Sequence, residues 1–463
     1  MSDSLLRIER LGLAILGAFL ALALAAGYWQ VVRGADLRHD PRINGGRESA
    51  LAARAPRGRI LDRNGAVLAE TVVESDGSRH RVYTEPGAVH VVGYFDAARG
   101  SSGAEAAAAD RLTGREASSV AGALRQLGGV PGPVEDVRLA LDLDVQRAAV
   151  RAMNGAPGAA VALDPHTGEV LALVSNPGFD PAVDDRGWEA LRTRPDSPLL
   201  NRATQGLYTP GSTFKTVTLA SAFANGLVEP STPAQCPVTI SVLGIPISSR
   251  NEPPGKSTRT VRDAYAYSCN TFFARLGEQV GPTRLEDTAR AFGLLEAPPF
   301  ELPTEAGRLN TTPRYLEDER GLAMTAFGQG ELQLSPLQLA LVAAGIANDG
   351  IVPTPRLFAD DSASKWRRAL PASVARELAQ VMEYSVQAGW ASTASLSGVR
   401  VGGKTGSAEV GEGEASHAVF IAFALVDHPR VAVAVLKERA GAGSAQAGPV
   451  VRAIIEAALR RPQ

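Results

Sequence analysis

The sequence predicts an α/β chain of the α+β type, in which helices flank one antiparallel sheet. The segment GAAVALDPHTGEVLALVSN at residues 158–176 reads as two strands joined by a turn at 164–168. The segments AVFIAFALV and RVAVAVLKE, at residues 418–426 and 430–438, read as an antiparallel pair. Helical patterns lie mostly between these two strand pairs. Because strands lie at both ends of the region, we expect one sheet that is built from both ends and covered by helices.

Helical segments and a loop set the limits of this domain. DVRLALDLDVQRAAVRAM at residues 136–153 predicts a short strand and an amphipathic helix, and AGPVVRAIIEAALRR at 447–461 predicts a closing helix. The loop GGVPGP at 128–133 indicates a boundary near residue 135. We therefore separate a domain at 136–463 from a smaller one at 33–135.

The smaller domain has mixed local patterns. Residues 81–83 and 89–94 are strand-like, whereas an Ala-rich stretch around Glu105 is helical. The whole chain has 463 residues, of which 45% are hydrophobic, as expected for two or three packed domains. Its formal net charge of -2 provides no basic excess for binding nucleic acid.

An apolar segment near the start predicts a membrane helix. Residues 11–32, LGLAILGAFLALALAAGYWQVV, could cross a bilayer core of about 30 Å at about 1.5 Å per residue. A cleaved signal peptide is the alternative, but the apolar run continues past the possible Ala-x-Ala sites at 21–25, so we favour an uncleaved anchor. Arginines on both sides leave the orientation undecided by charge, and large following domains cross largely regardless of it.

Cys236 and Cys269 are the two cysteines of the chain. They are too few for a disulfide framework, and their spacing is not that of a zinc site. They either bridge one another or are two inert buried thiols. We favour the thiols, because Cys269 lies inside a candidate catalytic motif.

The segment YTPGSTFK at residues 208–215 contains the first candidate catalytic pair, Ser212 and Lys215. Pro210 and Gly211 indicate a helix start, which puts both side chains on one face of the first turn. A serine hydroxyl needs a base to remove its proton, and lysine is such a base only when burial or a nearby cation lowers its pKa. Alone, this spacing is a weak signal, since a capping serine and an unrelated surface lysine often share it.

A second motif is Ser268-Cys269-Asn270. Ser268 provides another hydroxyl that could relay a proton, and the Asn270 amide could hold a peptide-like substrate. The alternative is an ordinary helix-capping serine with a nearby asparagine.

The third motif is Lys404-Thr405-Gly406-Ser407, after the strand-like residues 399–401. The lysine charge and the two hydroxyls could bind a substrate carboxylate. Gly406 could leave room for substrate against the strand edge. The alternative is a plain glycine-rich turn.

In this order and at these wide separations, the three motifs form the pattern of penicillin-binding proteins and class A β-lactamases. The chain resembles class B penicillin-binding proteins, the monofunctional D,D-transpeptidases of cell-wall synthesis, over nearly its whole length. RGRILDRNGAVLAET at 57–71 resembles their membrane-proximal pedestal motif, and GSSGAEAAAADRLTG at 100–114 resembles their G-x-E segment. AFGQGELQLSPLQLALVAAGIANDG at 326–350 resembles their G-Q-G segment and the following helix. Soluble β-lactamases lack such a pedestal.

The resemblance implies a role for each motif residue. Ser212 would attack the D-Ala-D-Ala carbonyl with Lys215 as base, and Ser268 would pass the proton to the leaving D-Ala. The oxyanion hole would be the backbone N–H groups of Ser212 and Ser407. The residues implied to hold the donor peptide and its terminal carboxylate are Asn270, Lys404, Thr405, Gly406 and Ser407.

The resemblance also implies an architecture and partners. It divides the chain into a cytoplasmic start at 1–10, an anchor at 11–32, a pedestal at 33–135 and an extracytoplasmic transpeptidase domain at 136–463. The protein would be a single-pass protein of the bacterial cytoplasmic membrane. Its substrates would be peptidoglycan stem peptides, its inhibitors β-lactams, and its membrane partner a SEDS-family glycosyltransferase. No metal or nucleotide cofactor is implied.

Two positions depart from the family pattern, and one group of charges has two interpretations. Position 407 is serine where threonine is usual, and Val419 stands where an aromatic residue is common. The charges of the pedestal motif are either a solvated surface or a docking and interdomain network, and the resemblance favours the network. They are Arg57, Arg59, Asp62 and Arg63.

Other functional classes fit less well. Residues 398–405 match a P-loop pattern, but the sequence after them is a poor helix, and too few residues remain for a nucleotide-binding sheet. A histidine-dependent serine hydrolase lacks its G-x-S-x-G elbow, and His417 is best explained as structural. Membrane β-lactam sensors, inactive scaffolds and β-lactamases share the expected fold and remain the alternatives.

Overall fold

The computed structural model describes residues 2–28, 56–114, 133–249, 258–411 and 413–460. The chain divides into two compact units, and the larger comprises residues 57–71, 81–94 and 101–463.

The strands are short near the start of the chain and longer in the second half. They are β1 (Ile60–Leu61), β2 (Val67–Val73), β3 (Arg79–Tyr83), β4 (Phe95–Asp96), β5 (Gly100–Ser101), β6 (Val137–Arg138), β7 (Gly158–Leu163), β8 (Val170–Asn176), β9 (Thr239–Val242), β10 (Ile245–Ser248), β11 (Ile351–Pro353), β12 (Lys365–Arg368), β13 (Val401–Ala408), β14 (His417–Ala424) and β15 (Val431–Lys437).

Most of the α-helices lie between β8 and β13. The α-helices are α1 (Ser2–Gly27), α2 (Val89–Val92), α3 (Gly103–Ala107), α4 (Ala109–Thr113), α5 (Leu143–Met153), α6 (Asp185–Thr193), α7 (Lys215–Ala224), α8 (Val261–Ala266), α9 (Asn270–Val280), α10 (Pro282–Ala291), α11 (Glu319–Ala326), α12 (Pro336–Ala347), α13 (Ala372–Ala388), α14 (Gly443–Gln446) and α15 (Gly448–Leu459).

One five-stranded antiparallel sheet organises the larger unit. Its strand order is β13-β14-β15-β7-β8, and every neighbouring pair is antiparallel. The two predicted strand pairs, β7 with β8 and β14 with β15, are therefore confirmed, and β15 joins them by pairing with β7. The prediction of one sheet built from both ends of the domain is correct, and β13 forms one edge of it.

Both faces of the sheet are covered by helices. Alternate residues of β14 belong to different apolar cores: Ile421 packs in the core that contains α12, and Phe420 packs in the core that contains α15. Since side chains alternate between the faces of a strand, a sheet buried on both sides needs continuous apolar strands. This explains why β14 and β15 are hydrophobic at nearly every position.

One local prediction near the start of the chain is wrong. Residues 89–94 are strand-like in sequence, but Val89–Val92 form helix α2, which ends at Gly93 with a φ of 77°. Val89, Val91 and Val92 are buried. A short apolar run does not distinguish a buried strand from a buried helical turn, and here tertiary packing selects the turn. The helix predicted around Glu105 is confirmed as α3.

The first charge of the pedestal motif belongs to a buried ionic triad. Glu105 is 0% exposed and accepts from Arg57 Nε and from Arg81 Nε, each at 2.6 Å. The two arginine side chains are 6% and 5% exposed. Arg57 therefore joins the pedestal motif to α3 rather than facing solvent.

The other charges of the motif also find partners within the chain. Arg59 pairs with Asp136 at 2.6 Å. Asp62, 1% exposed, accepts from the backbone N–H of Leu143 at 3.2 Å at the start of α5. A further pair, Arg63 with Glu169, lies at 3.2 Å. The charges of the motif are thus part of an internal network that extends to residues 136–169.

Parts of two sequence predictions lie outside the described residues. For the membrane segment, helix α1 covers Ser2–Gly27, whereas residues 29–32 of the predicted span and the arginines after it are not described. Most of the predicted boundary loop at 128–133 is not described either. Within the described ranges, no helix combines the length and apolar character needed to cross a membrane.

Candidate active site

The nucleophile candidate lies in a tight turn just before a buried helix. Residues Gly211–Phe214 form a single 3-10 turn, and α7 begins at Lys215. Ser212 is therefore in this turn rather than in the first α-helical turn that the sequence suggested. Gly328 of the G-Q-G segment packs on it so closely that a Cβ at Gly328 would lie 1.8 Å from the Gly211 carbonyl oxygen.

Lys215 joins the first motif to the second. Its Nζ donates to Asn270 Oδ1 at 2.6 Å and to the Ser268 carbonyl oxygen at 2.8 Å, and it lies 3.1 Å from Ser268 Oγ. The lysine is 0% exposed. Burial, and then the nearby charge of Lys404, lower its pKa well below the usual value of 10.5. The environment thus favours the neutral amine that a general base requires.

The second motif is held in an unusual backbone conformation. Ser268 has a φ of 60°, in the left-handed region that residues with a side chain rarely adopt. Its N–H donates to the Tyr265 carbonyl at 3.1 Å, and the next N–H, of Cys269, donates to Ala264 at 2.8 Å. These bonds fix the turn between α8 and α9. Strained conformations of this kind cluster at functional sites, where they aim a side chain.

The cysteines are bridged, which corrects the interpretation as free thiols. Cys236 and Cys269 form a disulfide with Cα atoms 6.0 Å apart. The sequence left this possibility open but favoured thiols, because Cys269 lies inside a candidate catalytic motif. A separation of 33 residues does not reveal whether the two side chains meet in the fold. The Cys269 side chain is buried, and the bond ties the Ser-x-Asn turn to the segment that precedes β9.

The third motif lies on edge strand β13. Alternation along the strand buries Lys404 completely, whereas Ser407 is exposed. Lys404 Nζ donates to the Thr405 carbonyl at 3.1 Å, and burial lowers the pKa of this lysine to about 7. Ser407 Oγ accepts from Gly443 N–H at 3.2 Å, and its carbonyl accepts from Gln329 Nε2 at 3.3 Å.

Gly406 has a different purpose from the one expected. A Cβ at this position would lie 2.7 Å from the Pro210 carbonyl oxygen and 3.1 Å from a methyl group of Thr213. The space that the missing side chain leaves is therefore filled by the turn that contains Ser212. The glycine allows the nucleophile turn to pack on the edge strand, rather than making room for substrate.

The three motifs converge on one cavity of about 660 Å³. The predicted residues that line it are Ser212, Ser268, Asn270, Thr405 and Ser407. The buried Lys215 and Lys404 lie behind this lining, where they can act through hydroxyl and amide groups. A larger cavity of about 910 Å³ lies around the β14–β15 turn and contains none of the predicted site residues.

Several lining residues were missed by sequence reasoning. Gln329 lies in the G-Q-G segment, so the sequence carried a signal for it. Glu409, Trp390 and Ser444 line the cavity without belonging to a motif. Only the tertiary fold brings them there. Val419, in contrast, is 0% exposed within β14, so its departure from the family pattern does not alter the cavity rim.

His417 has the structural position that the sequence indicated. Its Nδ1 accepts from the Arg439 N–H at 3.0 Å, and its ring packs edge-on against Tyr208 with centroids 5.6 Å apart. Tyr208 donates in turn to Glu438 at 2.7 Å, which also binds Arg202 at 2.8 Å. This polar network supports the start of the segment that leads to Ser212.

Comparisons with known proteins identify the family of the chain. Residues 158–456 match the penicillin binding protein transpeptidase domain, and residues 57–130 match the penicillin binding protein A dimerisation domain. The chain is 35% identical to the peptidoglycan D,D-transpeptidase PbpA of Mycolicibacterium smegmatis, with 98% of this chain and 99% of that protein covered. The corresponding PbpA of Mycobacterium tuberculosis is 34% identical, with 98% and 99% covered.

Solved structures give the same result. The ceftriaxone acyl-enzyme complex of penicillin-binding protein A from M. tuberculosis has a TM-score of 0.80 and 33% identity, covering 89% of this chain and 100% of that one. Its penicillin G acyl-enzyme complex has a TM-score of 0.78 and 34% identity, with 88% and 100% covered. The family model spans well over half of the chain and contains all three motifs. The chain therefore belongs to the penicillin-binding protein transpeptidase family.

Proposed function

We propose that this protein is a peptidoglycan D,D-transpeptidase that works through an acyl-enzyme on Ser212. The observation that carries the proposal is the fully buried Lys215, whose pKa is lowered and whose amine contacts Ser268 and Asn270 beneath the cavity that Ser212 lines. The relatives named above are called peptidoglycan D,D-transpeptidases. The two similar structures named above are acyl-enzyme complexes with β-lactams, which supports the same chemistry here.

Acylation follows from the proposed roles. The neutral Lys215 amine takes the proton of Ser212, whose Oγ attacks the carbonyl carbon between the two terminal D-Ala residues of the donor peptide. The new C–O bond forms, the C–N bond breaks, and Ser268 passes the proton to the nitrogen of the leaving D-Ala. The backbone N–H groups of Ser212 and Ser407 would stabilise the oxyanion, and one such donor contributes about 10² to 10³ in rate.

Deacylation reverses the proton movements with a different nucleophile. An amine of a second stem peptide attacks the Ser212 ester carbonyl, a C–N bond forms and the C–O bond breaks. The proton lost by that amine returns to Ser212 Oγ through Lys215. The product is a peptide cross-link, and the enzyme is regenerated.

The third motif supplies the carboxylate site in this proposal. Thr405 and Ser407 line the cavity, and the Nζ of the buried Lys404 donates to the Thr405 carbonyl. In the protein without substrate, the pKa of Lys404 is about 7. A bound carboxylate would favour its protonated form, because an opposite charge nearby stabilises the ammonium. Substrate binding would therefore increase the fraction of Lys404 that is protonated.

We further propose the membrane architecture that the resemblance implies. The cytoplasmic start is 1–10, the anchor 11–32, the pedestal 33–135 and the extracytoplasmic transpeptidase domain 136–463. The apolar segment supports an anchor, and a disulfide is typical of a protein domain outside the cytoplasm. The SEDS-family partner rests on resemblance alone, because the charges of the pedestal motif are paired within the chain.

Penicillin tests the assignment directly. A β-lactam mimics the D-Ala-D-Ala terminus, so the full-length protein should gain the mass of one penicillin, and peptide mapping should place it on Ser212. The adduct should persist for hours, whereas a β-lactamase would hydrolyse it. Absence of an adduct, or an adduct of unchanged yield in Ser212→Ala, would refute the proposal.

A further inference from the structure

The cavity around Ser212 has one ionisable side chain among its described lining residues, and this residue is Glu409. Thr405 and Ser407 also line it, and Glu409 continues the same alternation of side chains one residue past the end of β13. The Cα atoms of Ser407 and Glu409 are therefore about 7 Å apart along the chain direction. The carboxylate extends the substrate-facing row of β13 away from Lys404.

Glu409 is also free of internal partners in the part of the chain that the structure describes. The nearby Glu414, in contrast, forms an ion pair with Arg439 at 2.8 Å. Glu409 is exposed, and neither a hydrogen bond nor an ion pair to its carboxylate is formed by the described residues. An unpaired carboxylate at a substrate cavity is available to a cationic ligand.

The reaction brings one cation to this cavity. The donor peptide ends in a carboxylate, which Glu409 would repel, whereas the acceptor amine is an ammonium in solution at neutral pH. We propose that Glu409 binds the ammonium form of the acceptor, an inference that rests on the proposed transpeptidase function. The side chains of Thr405, Ser407 and Glu409 then separate the two substrates by charge, with the donor carboxylate toward Lys404 and the acceptor toward Glu409.

The ammonium binds before the chemical step, and its binding does not alter which bonds form and break in that step. The bound ammonium releases one proton to water, and the neutral amine then attacks the Ser212 ester as described above. Glu409 is thus an acceptor-binding residue whose charge raises the local concentration of amines. Acylation by donors and β-lactams does not need it.

The experiment compares two amine acceptors with the full-length protein in detergent. A thioester analogue of acyl-D-alanine acylates Ser212, and the acyl group is then transferred to Nα-acetyl-lysine amide, a cation, or to hydroxylamine, which is mostly uncharged at neutral pH. Glu409→Gln should lower transfer to the lysine amide about fivefold, as an exposed ion pair allows, and transfer to hydroxylamine by less than about twofold. Added salt should reduce the preference of the parent protein for the cation.

Glu414→Gln is the matched control, because it removes a carboxylate nearby in sequence that does not line the cavity. It should behave like the parent protein. The inference would be overturned if Glu409→Gln selectively lowered transfer to the cationic amine by less than about twofold, or if it lowered transfer to both amines equally. It would also be overturned if Glu414→Gln lowered transfer to the cationic amine as much as Glu409→Gln does. Penicillin labelling of Ser212 in each variant reports folding and the proposed function separately, since failure to label the parent would refute that function instead.

Discussion

Replacing Glu105 with glutamine should be one of the most destabilising conservative changes among residues 57–114. The substitution keeps the size of the side chain and removes only its charge. In the folded protein that charge is 0% exposed and lies 2.6 Å from two guanidinium groups, those of Arg57 and Arg81. After the change, the 5% exposed Arg81 has no carboxylate partner among the described residues.

The magnitude follows from the burial of the triad. Removing one partner of a buried ion pair typically costs about 3–5 kcal/mol, because the remaining charge stays out of water. At about 2 °C per kcal/mol for a domain of this size, the midpoint of thermal unfolding should fall by roughly 6–10 °C. Asp136→Asn is the control, since its partner Arg59 is 52% exposed and such pairs contribute little.

Circular dichroism of the full-length proteins in detergent would measure the two midpoints. Fluorescent penicillin binding would show whether the catalytic domain loses its fold at the same temperature. Similar midpoints for Glu105→Gln and Asp136→Asn would refute the reasoning, because burial would then have no influence on the strength of these pairs.

Three further predictions concern the site. Lys215→Arg should abolish acylation by penicillin, measured by intact mass, because arginine stays protonated and cannot act as base; near-parental acylation would assign the base elsewhere. Burial lowers the pKa of Lys404 to about 7, so between pH 7 and 9 the unfolded chain binds a proton that the folded chain lacks, and the urea midpoint should rise with pH. Lys404→Met should reduce this rise, and an unchanged rise would contradict the lowered pKa of Lys404. Replacing Cys236 and Cys269 with serine removes a bridge across 33 residues, which should cost about 3–4 kcal/mol of stability while acylation persists. Loss of acylation in a folded double variant would show that the bridge shapes the site.

Local sequence patterns predicted the strand pairs but not their arrangement. β7 with β8 and β14 with β15 are each close in sequence, so alternation and turns are sufficient to identify them. The pairing of β15 with β7 joins residues more than 250 positions apart, as in Val435 opposite Ala160. Nothing in a local window specifies such a contact. The helix at Val89–Val92 was missed for a related reason, since packing rather than propensity decides so short a segment.

The site could be predicted as a set of residues but not as a geometry. The spacing of Ser212 and Lys215 indicated that they are close, and motif order indicated that Ser268 and Lys404 join them. The disulfide, the left-handed Ser268 and the cavity-facing Glu409 depend on how distant segments meet. Gly406 shows the limit most clearly, because the sequence identifies the glycine but does not indicate that Pro210 packs against it.

The close packing around the nucleophile restricts how the protein could evolve resistance to β-lactams. Side chains cannot be added at Gly328 or Gly406 without moving the backbone of the Ser212 turn, since their Cβ atoms would fall 1.8 and 2.7 Å from carbonyl oxygens. Substitutions at these two glycines would therefore impair the natural reaction together with drug binding. Trp390 and Ser444, on the cavity wall, belong to none of the three motifs. Substitutions that exclude a drug and spare the substrate should accumulate at such wall positions.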